Sequence, residues 1–512
     1  MKKKIFAILI SLIIIVVIIG FNYNNKQDVI INNGVKYAIK LNGKKTNSFP
    51  SKGKYNVIIN CNHANAKWDY DNWKINVYNI NEGATCDINF TSMDNYPQLN
   101  DKIISLKGNG QVFEEQAQID KSTITNPTPI LKNEYASLVN DATNPWTWNK
   151  NNKTWTSSNH EDSSQSSIEF SSSVSGAYQI SYSQSSENNY DYGTIYKNGT
   201  EIKNLKGETD GNFFLGQLTP TDKIKITYKK DGSGSTGSDT LSFSMQSGTY
   251  NENIITATDY RYEGKSPDNY IWFNNELWRI IGVFDSNSHG KAGKQLVKII
   301  RNEPIGNLIW NKPENNWATA RLQKLLNGAY LNAQNGTETG FCYGYSDDVQ
   351  ANCDYSKIGI QSGYREMIEN VTWYLGGRVD SKVNAAQFYQ EERDSNQVCG
   401  ENQPIWTGKI GLMYISDYGY SVMSSTCNRS TRLYDYCSEN CAGQSWLYGY
   451  QEWTITQSMM SDEFVFNNSY YGVMFPDNSY QGHLVRPVLY LKSNVYTKGG
   501  DGTLENPYVI GI

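Results

Sequence analysis

Histidine is almost absent from this chain: four residues, His63, His160, His289 and His483, in 512. None lies beside a cysteine at zinc-ligand spacing, and none shares its segment with a Ser or Cys nucleophile in a recognisable pattern. The GxSxG elbow, the HExxH helix and the phosphate-binding glycine loop are missing too, so motif-bearing enzymes have no support. Lysine and arginine (46) are outnumbered by aspartate and glutamate (51), and the two signs are interspersed, which excludes the basic patch that nucleic acid needs. Beyond residue 21 no run is apolar enough to span a bilayer, and mean hydropathy is −0.59. What fills the space is Tyr, Trp, Asn, Ser, Thr and Gly, with little proline. Large rigid aromatic faces lose little entropy on binding, so such a composition suits contact with sugars and proteins.

The N-terminus is different. Lys2, Lys3 and Lys4 precede an apolar run from Ile5 to Phe21, broken only by Ser11 and Gly20. A basic flank before an apolar run is the layout of an export signal. Asn22, Tyr23, Asn24 and Asn25 follow, with no small-x-small cleavage site. Residues 1–22 are therefore expected to be an uncleaved signal anchor, a single-pass helix at the cell membrane with the bulk outside; a cleaved signal peptide is the alternative. The eight cysteines agree with export, where an even count reads as disulfides. Cys61 and Cys86 are the obvious bridge, and Cys342–Cys353 would close a short loop. The last four could pair as Cys427–Cys441 with Cys399–Cys437, but spacing does not determine connectivity, and free buried thiols are the competing reading.

The organisation is mostly β and multidomain. Residues 28–98 alternate apolar and polar in short runs such as Val35–Leu41, Tyr55–Cys61 and Cys86–Phe90, which predicts antiparallel strands in a small one-disulfide β-sandwich. Residues 99–137, polar and holding Pro127 and Pro129, read as a linker. Residues 138–250 carry further strands and the hairpin signal Asn198-Gly199, and read as a jelly-roll β-sandwich. Residues 256–512 mix the two periods. Strands open this unit, with Asn274-Asn275 as a turn. Apolar spacing predicts a helix over 317–330 and a second over 364–373, an α+β pattern.

The last unit contains Trp272-Phe-Asn-Asn-Glu-Leu-Trp-Arg-Ile-Ile-Gly, Trp453-Thr-Ile-Thr and Leu484-Val-Arg-Pro-Val-Leu-Tyr-Leu. With these it resembles C-type-lectin-like domains of the formylglycine-generating-enzyme type, found in uncharacterised secreted bacterial proteins, over about half the chain. Gly499-Gly-Asp-Gly-Thr-Leu-Glu-Asn-Pro-Tyr resembles a segment of Gram-positive surface proteins. Those enzymes bind copper through a cysteine pair. The nearest pair here, Cys437 and Cys441, has an equally good disulfide reading, and a shared scaffold does not transfer chemistry, so no catalysis is expected. In the middle unit, Glu187-Asn-Asn-Tyr-Asp-Tyr and Lys230-Asp-Gly-Ser-Gly-Ser-Thr-Gly-Ser-Asp-Thr resemble CUB-like jelly rolls, although the family's cysteines are missing. That resemblance implies a structural calcium held by Glu187, Asp191 and Asp239, with Asp231 as a spare; solvated loop carboxylates are the plainer reading.

Adjacent acids such as Asp347-Asp348 and Glu391-Glu392 point apart on one element and cannot face across a glycosidase cleft. The most suggestive surface lies late in the chain, where twelve aromatics from Tyr434 to Tyr480 crowd together with Asn and Asp among them. Most should pack loops onto the core, leaving a few as anchors. The expected ligand residues are Trp446, Tyr448, Trp453, Tyr471, Asp477, Asn478 and Tyr480. The functional expectation is an adhesin-like, non-catalytic surface protein that binds an extracellular glycan or protein. A structural envelope protein without a ligand, and a hydrolase or oxidase in the last unit, are the alternatives.

Overall fold

The computed structural model describes residues 29–512 apart from 33, 54, 70–71, 94–95, 188–189, 235–236, 347–348, 396 and 400–401. The expected signal anchor and the Asp347-Asp348 pair lie outside the described residues. Among the described residues no helix is long and apolar enough to cross a membrane. Strand accounts for 44% and helix for 11%, so the mostly-β expectation holds. The chain divides into two compact units. Among the described residues, one comprises 29–99 with 494–498 and 510–512; the other comprises 100–493 and 499–509.

In the first unit the strands Val29–Asn32, Val35–Leu41, Thr85–Ser92 and Tyr55–Asn62 lie side by side in that order, with Lys44–Thr46 on Val35–Leu41. A separate ribbon pairs Asn65–Asp69 with Lys74–Tyr78. One pairing departs from the antiparallel expectation: Val35–Leu41 runs parallel to Thr85–Ser92, Lys36 opposite Thr85. Period two is the same in either direction, so alternation could not distinguish them. Trp68 and Phe90 meet edge to face at 4.9 Å in the core. Cys61 stands directly opposite Cys86 and is bonded to it.

In the second unit the expected linker is a structured part of the fold. The strand Val112–Asp120 pairs along its whole length with Ile254–Tyr262, Val112 opposite Tyr262 and Asp120 opposite Ile254. The next strand, Thr123–Pro129, joins Thr240–Asn251. The segment reads as polar because small or lone apolar residues (Ala117, Ile119) alternate with Glu and Gln, which hides a half-buried strand. The sandwich is therefore an insertion between two neighbouring strands of its host domain.

That sandwich has two sheets. One orders Tyr135–Asn140, Gln165–Ser172, Ile224–Lys229, Tyr192–Lys197 and Thr200–Lys206; the other orders Thr147–Asn149, Thr154–Thr156, Thr240–Asn251, Gly176–Ser185 and Thr209–Leu218. Their inner faces share one core in which Phe170 stacks on Phe243 at 5.6 Å. Burying each such ring contributes roughly 2 kcal/mol. The Asn198-Gly199 turn has positive φ at both positions, 51° and 80°, as a tight hairpin requires.

The host domain carries a sheet through Ile410–Gly411, Val488–Tyr490, Leu296–Arg301, Glu276–Phe284 and Tyr270–Phe273. A second sheet orders Asn307–Ile309, Gly482–Leu484, Glu452–Gln457, Phe464–Asn468 and Met474–Asn478. The expected Asn274-Asn275 turn is present, with φ of 58° and 60°. The helix expected over 317–330 begins at Arg321 and continues as a wider turn to Tyr330. The helix expected over 364–373 is one turn, Ser362–Arg365; Val371–Tyr374 is a strand paired with Ile405–Gly408. The β-branched and aromatic run Val-Thr-Trp wins there by burying Val371 and Trp373. The helix Ala385–Glu392 was not expected, although Asn384 and Gln387 form a reciprocal cap that the sequence displays. It packs on the paired strands through Ala385 and Tyr389 against Ala117 and Ala257.

Candidate functional site

The seven residues expected to hold a ligand divide into framework and surface. Trp446 is buried, donates from Nε1 to the Tyr262 carbonyl (2.9 Å) and lies under the Arg279 guanidinium at 4.5 Å. Trp453 is buried, donates to the Leu308 carbonyl (2.9 Å) and meets the His483 ring at 4.4 Å. Asp477 is engaged by His483 Nε2 at 2.8 Å and by the Asn478 amide at 2.8 Å. Burial raises the Asp477 pKa, but these hydrogen bonds and the His483 field outweigh it and hold the carboxyl below its usual range. Asn478 and Tyr480 are half-buried.

Tyr448 and Tyr471 remain at the surface, 41% and 67% exposed. Beside them stands Tyr470, one of the twelve crowded aromatics though not among the seven expected ligand residues; it is 67% exposed and meets Tyr471 edge to face at 5.7 Å. The turn that presents this pair is well held. Gly472 N donates to Ser469 O (2.9 Å), Val473 N to Ser469 Oγ (3.1 Å), and Tyr418 Oη donates to Gly472 O (2.9 Å). Gly472 has φ of 71°, and a Cβ there would lie 2.9 Å from the Tyr448 ring, so glycine is what lets the two loops close. Asn468 Nδ2 ties the hairpin to Leu447 O at 3.3 Å. The disulfide Cys427–Cys441 braces the neighbouring loop, as the spacing allowed.

The other cysteines need one correction. Cys342–Cys353 is formed, but Cys399 and Cys437 are free, Cys399 buried and Cys437 exposed. Cys399 is fastened inside, its Sγ 3.5 Å from the Ser458 carbonyl and its amide donating to Gln457 Oε1, and burial pushes its thiol up to about 11. Because Cys441 is bonded to Cys427, the Cys437–Cys441 pair implied by the enzyme resemblance does not exist as two thiolates.

Among the described residues no group of three or more His, Cys, Asp or Glu is placed to hold a metal ion. Of the trio expected to hold calcium, Asp239 is ion-paired with the fully buried Lys230 at 2.7 Å, and the Asp191 carboxylate accepts from the Asp231 amide at 3.0 Å. Burial works against the Lys230 charge, but the bond to Asp239 and the fields of Asp239, Asp191 and Asp162 hold its pKa above the ordinary value. Glu187 lies instead against Gly234. The Lys230 ammonium is thus the cation bonded to Asp239, with the Asp191 carboxylate in its field.

Sequence reasoning missed a buried ionic network that joins strands Ile254–Tyr262 and Leu296–Arg301 to Asp417. Arg261 bonds Asp259 and Asp417, each at 3.0 Å, and Lys298 shares Asp417. Burial draws Lys298 down to about 8 against the pull of Asp417. Glu392 accepts from the Ser416 amide (3.1 Å) and the Thr456 hydroxyl (3.1 Å), while its neighbour Glu391 bonds Arg378. The two acids do serve different partners, and burial pushes Glu391 up to about 7. Asp259 and Arg261 are close in sequence, but Asp417 lies more than a hundred residues from both Arg261 and Lys298, so no local pattern announces the network.

No protein-family model matches the chain, and no curated protein does. Among solved structures it is similar to the secreted serine protease VesC from Vibrio cholerae, at 15% identity and a TM-score of 0.19, over 35% of this chain and 32% of that one. It is also similar to the GH31 alpha-xylosidase from Xanthomonas citri, at 14% identity and a TM-score of 0.12, over 29% of this chain and 16% of that one. The chain thus spans a third or less of either protein, and likenesses this slight carry no argument about fold or chemistry.

Proposed function

We propose that this is a non-catalytic, extracytoplasmic binding protein, anchored by its lysine-flanked N-terminal run, that holds an extracellular glycan or protein on the loops bearing Tyr448, Tyr470 and Tyr471. The observation that carries the reading is this group of exposed rings on a braced turn, in a domain whose tryptophans Trp446 and Trp453 are spent inside. Exposed aromatic faces on rigid backbone are the equipment of a contact surface, since each ring offers area at little entropic cost. The three disulfides support an oxidising compartment.

The test uses the full-length chain in mild detergent on a glycan and mucin panel, beside the variant carrying Tyr448→Ala and Tyr471→Ala. Saturable binding by the wild type that the variant loses, with unchanged thermal unfolding, supports the reading. Binding that survives the double substitution, or silence across the panel and against extracellular proteins, overturns it.

A further inference from the structure

The second unit also holds a cleft of about 740 Å³ where the inserted sandwich meets its host domain, formed by residues other than those of the tyrosine loops. That volume is in the range of small-molecule sites. One wall is the strand Thr209–Leu218 at the edge of its sheet, whose Phe214 ring lies parallel to Tyr250 at 6.2 Å. The other wall brings Tyr374, half-buried, with the exposed Lys121 ammonium 5.9 Å from its ring centre.

Charge is arranged unevenly among the described lining residues. Lys121, Lys197 and Arg393 line the cleft together with Asp120 and Asp394. Lys197 is committed to the Leu215 carbonyl at 3.0 Å, and Asp120 accepts from the Ser122 amide at 2.8 Å. Arg393 is the unusual member. Its side chain is 1% exposed; Nη1 donates to the Tyr389 carbonyl (2.9 Å) and to Glu392 (3.3 Å), while Nε and Nη2 have no hydrogen-bond partner. Glu392 is shared with Ser416 and Thr456, and the guanidinium carbon lies 3.4 Å from the Tyr389 ring centre, so carboxylate and ring divide that charge while the Nε–Nη2 edge keeps its donors unused. The edge formed by Nε and a terminal nitrogen is the one through which a guanidinium grips a carboxylate with two parallel bonds.

We infer that the cleft is a binding site for a carboxylate-bearing saccharide, a uronic-acid type of sugar. The acid is drawn by Arg393 and Lys121, and the apolar faces of the ring lie on Tyr374 and the Phe214–Tyr250 pair. A peptide added as a further strand is the competing occupant, because an edge strand lines the cleft. The edge is unsuited to it. Lys197 already caps the Leu215 carbonyl, and the register slips there, with Gly216 at φ of 81°.

The test is calorimetric titration of the full-length chain with a glucuronic-acid-terminated disaccharide, its neutral glucose counterpart, a sulfated counterpart and an acidic peptide. The acid sugar should bind at least roughly tenfold tighter than the neutral one, the worth of one charge-assisted hydrogen bond. That preference should shrink with added salt and in Lys121→Gln, whose exposed position leaves folding alone. Arg393→Lys should abolish the preference, and Gln217→Trp, at an exposed lining position, should block binding. Equal affinity for acid and neutral sugars, tighter binding of the sulfated sugar or the peptide, undiminished binding in Gln217→Trp, or no binding overturns the inference. The Tyr448→Ala, Tyr471→Ala variant should bind the acid sugar like the wild type, which keeps this site's failure separate from that of the tyrosine surface.

Discussion

His289 makes the stability of the larger unit depend on acid in a way that can be calculated. Its ring is fully buried, held at both nitrogens. Nε2 is 3.1 Å from the Phe284 carbonyl, which only a donor can satisfy, and Nδ1 accepts from the Lys291 amide at 3.2 Å. A proton on Nδ1 would break that second bond and bury a charge. Desolvation, which the Phe284 carbonyl and the Asp259 field only partly oppose, draws its pKa from 6.5 to about 4. Because the folded value is depressed, its stabilising contribution is whole above 6.5 and is lost as pH falls toward 4, where the unfolded chain takes the proton first. The loss is about 1.4 kcal/mol at pH 5.5 and about 3 kcal/mol at pH 4. Glu391 and Glu263, which burial pushes up to about 7 and about 8, act with the opposite sign and favour the fold as pH drops. The comparison must therefore be a difference. Urea unfolding of wild type and His289→Gln should show the variant weaker at pH 7.5 by a packing cost, since His289 lies 5.5 Å from the Tyr490 ring. The gap should then close by about 3 kcal/mol on reaching pH 4. A gap that stays constant within about 0.5 kcal/mol across that range would refute the neutral, doubly bonded imidazole.

Three further outcomes are expected. Arg486 and Glu452 form a buried two-bond pair, Nε to Oε2 at 2.7 Å, so Glu452→Gln should cost about 3–5 kcal/mol in denaturant unfolding, and a loss below about 1 kcal/mol would contradict its burial. In the folded chain a maleimide should label Cys437 within minutes and Cys399 only after denaturation; prompt labelling of both, or of neither, by mass spectrometry would refute the assignment of one exposed and one buried thiol. Lys230→Met should leave Asp191 and Asp239 without their ammonium, lowering thermal stability in chelator and restoring part of it with millimolar calcium, whereas the wild type should respond less to calcium; an equal calcium response in both would show that the lysine does not stand in for a metal.

What the sequence determined by itself was local. Period-two runs such as Val35–Leu41 and Tyr55–Asn62 became strands, and Asn198-Gly199 and Asn274-Asn275 became tight turns, because alternation and left-handed backbone are properties of a few adjacent residues. Three disulfides were legible because their partners lie 25, 11 and 14 positions apart within one stretch of chain. Of the expected ligand residues, Tyr448 and Tyr471 reached the surface, while Trp446 and Trp453 turned inward to carbonyls that no reading of their neighbours could have supplied. Tertiary structure alone decided the rest. The pairing of Val112–Asp120 with Ile254–Tyr262 spans the whole inserted sandwich, so a segment that looked like a linker is the seam between two domains. Asp417 gathers Arg261 and Lys298 from positions more than a hundred residues away, and the cleft exists only where those domains meet. Hydrogen bonds along one strand or turn are written in adjacent residues; the burial of a charge, the freedom of a thiol and the shape of a cleft depend on which distant surfaces exclude water together.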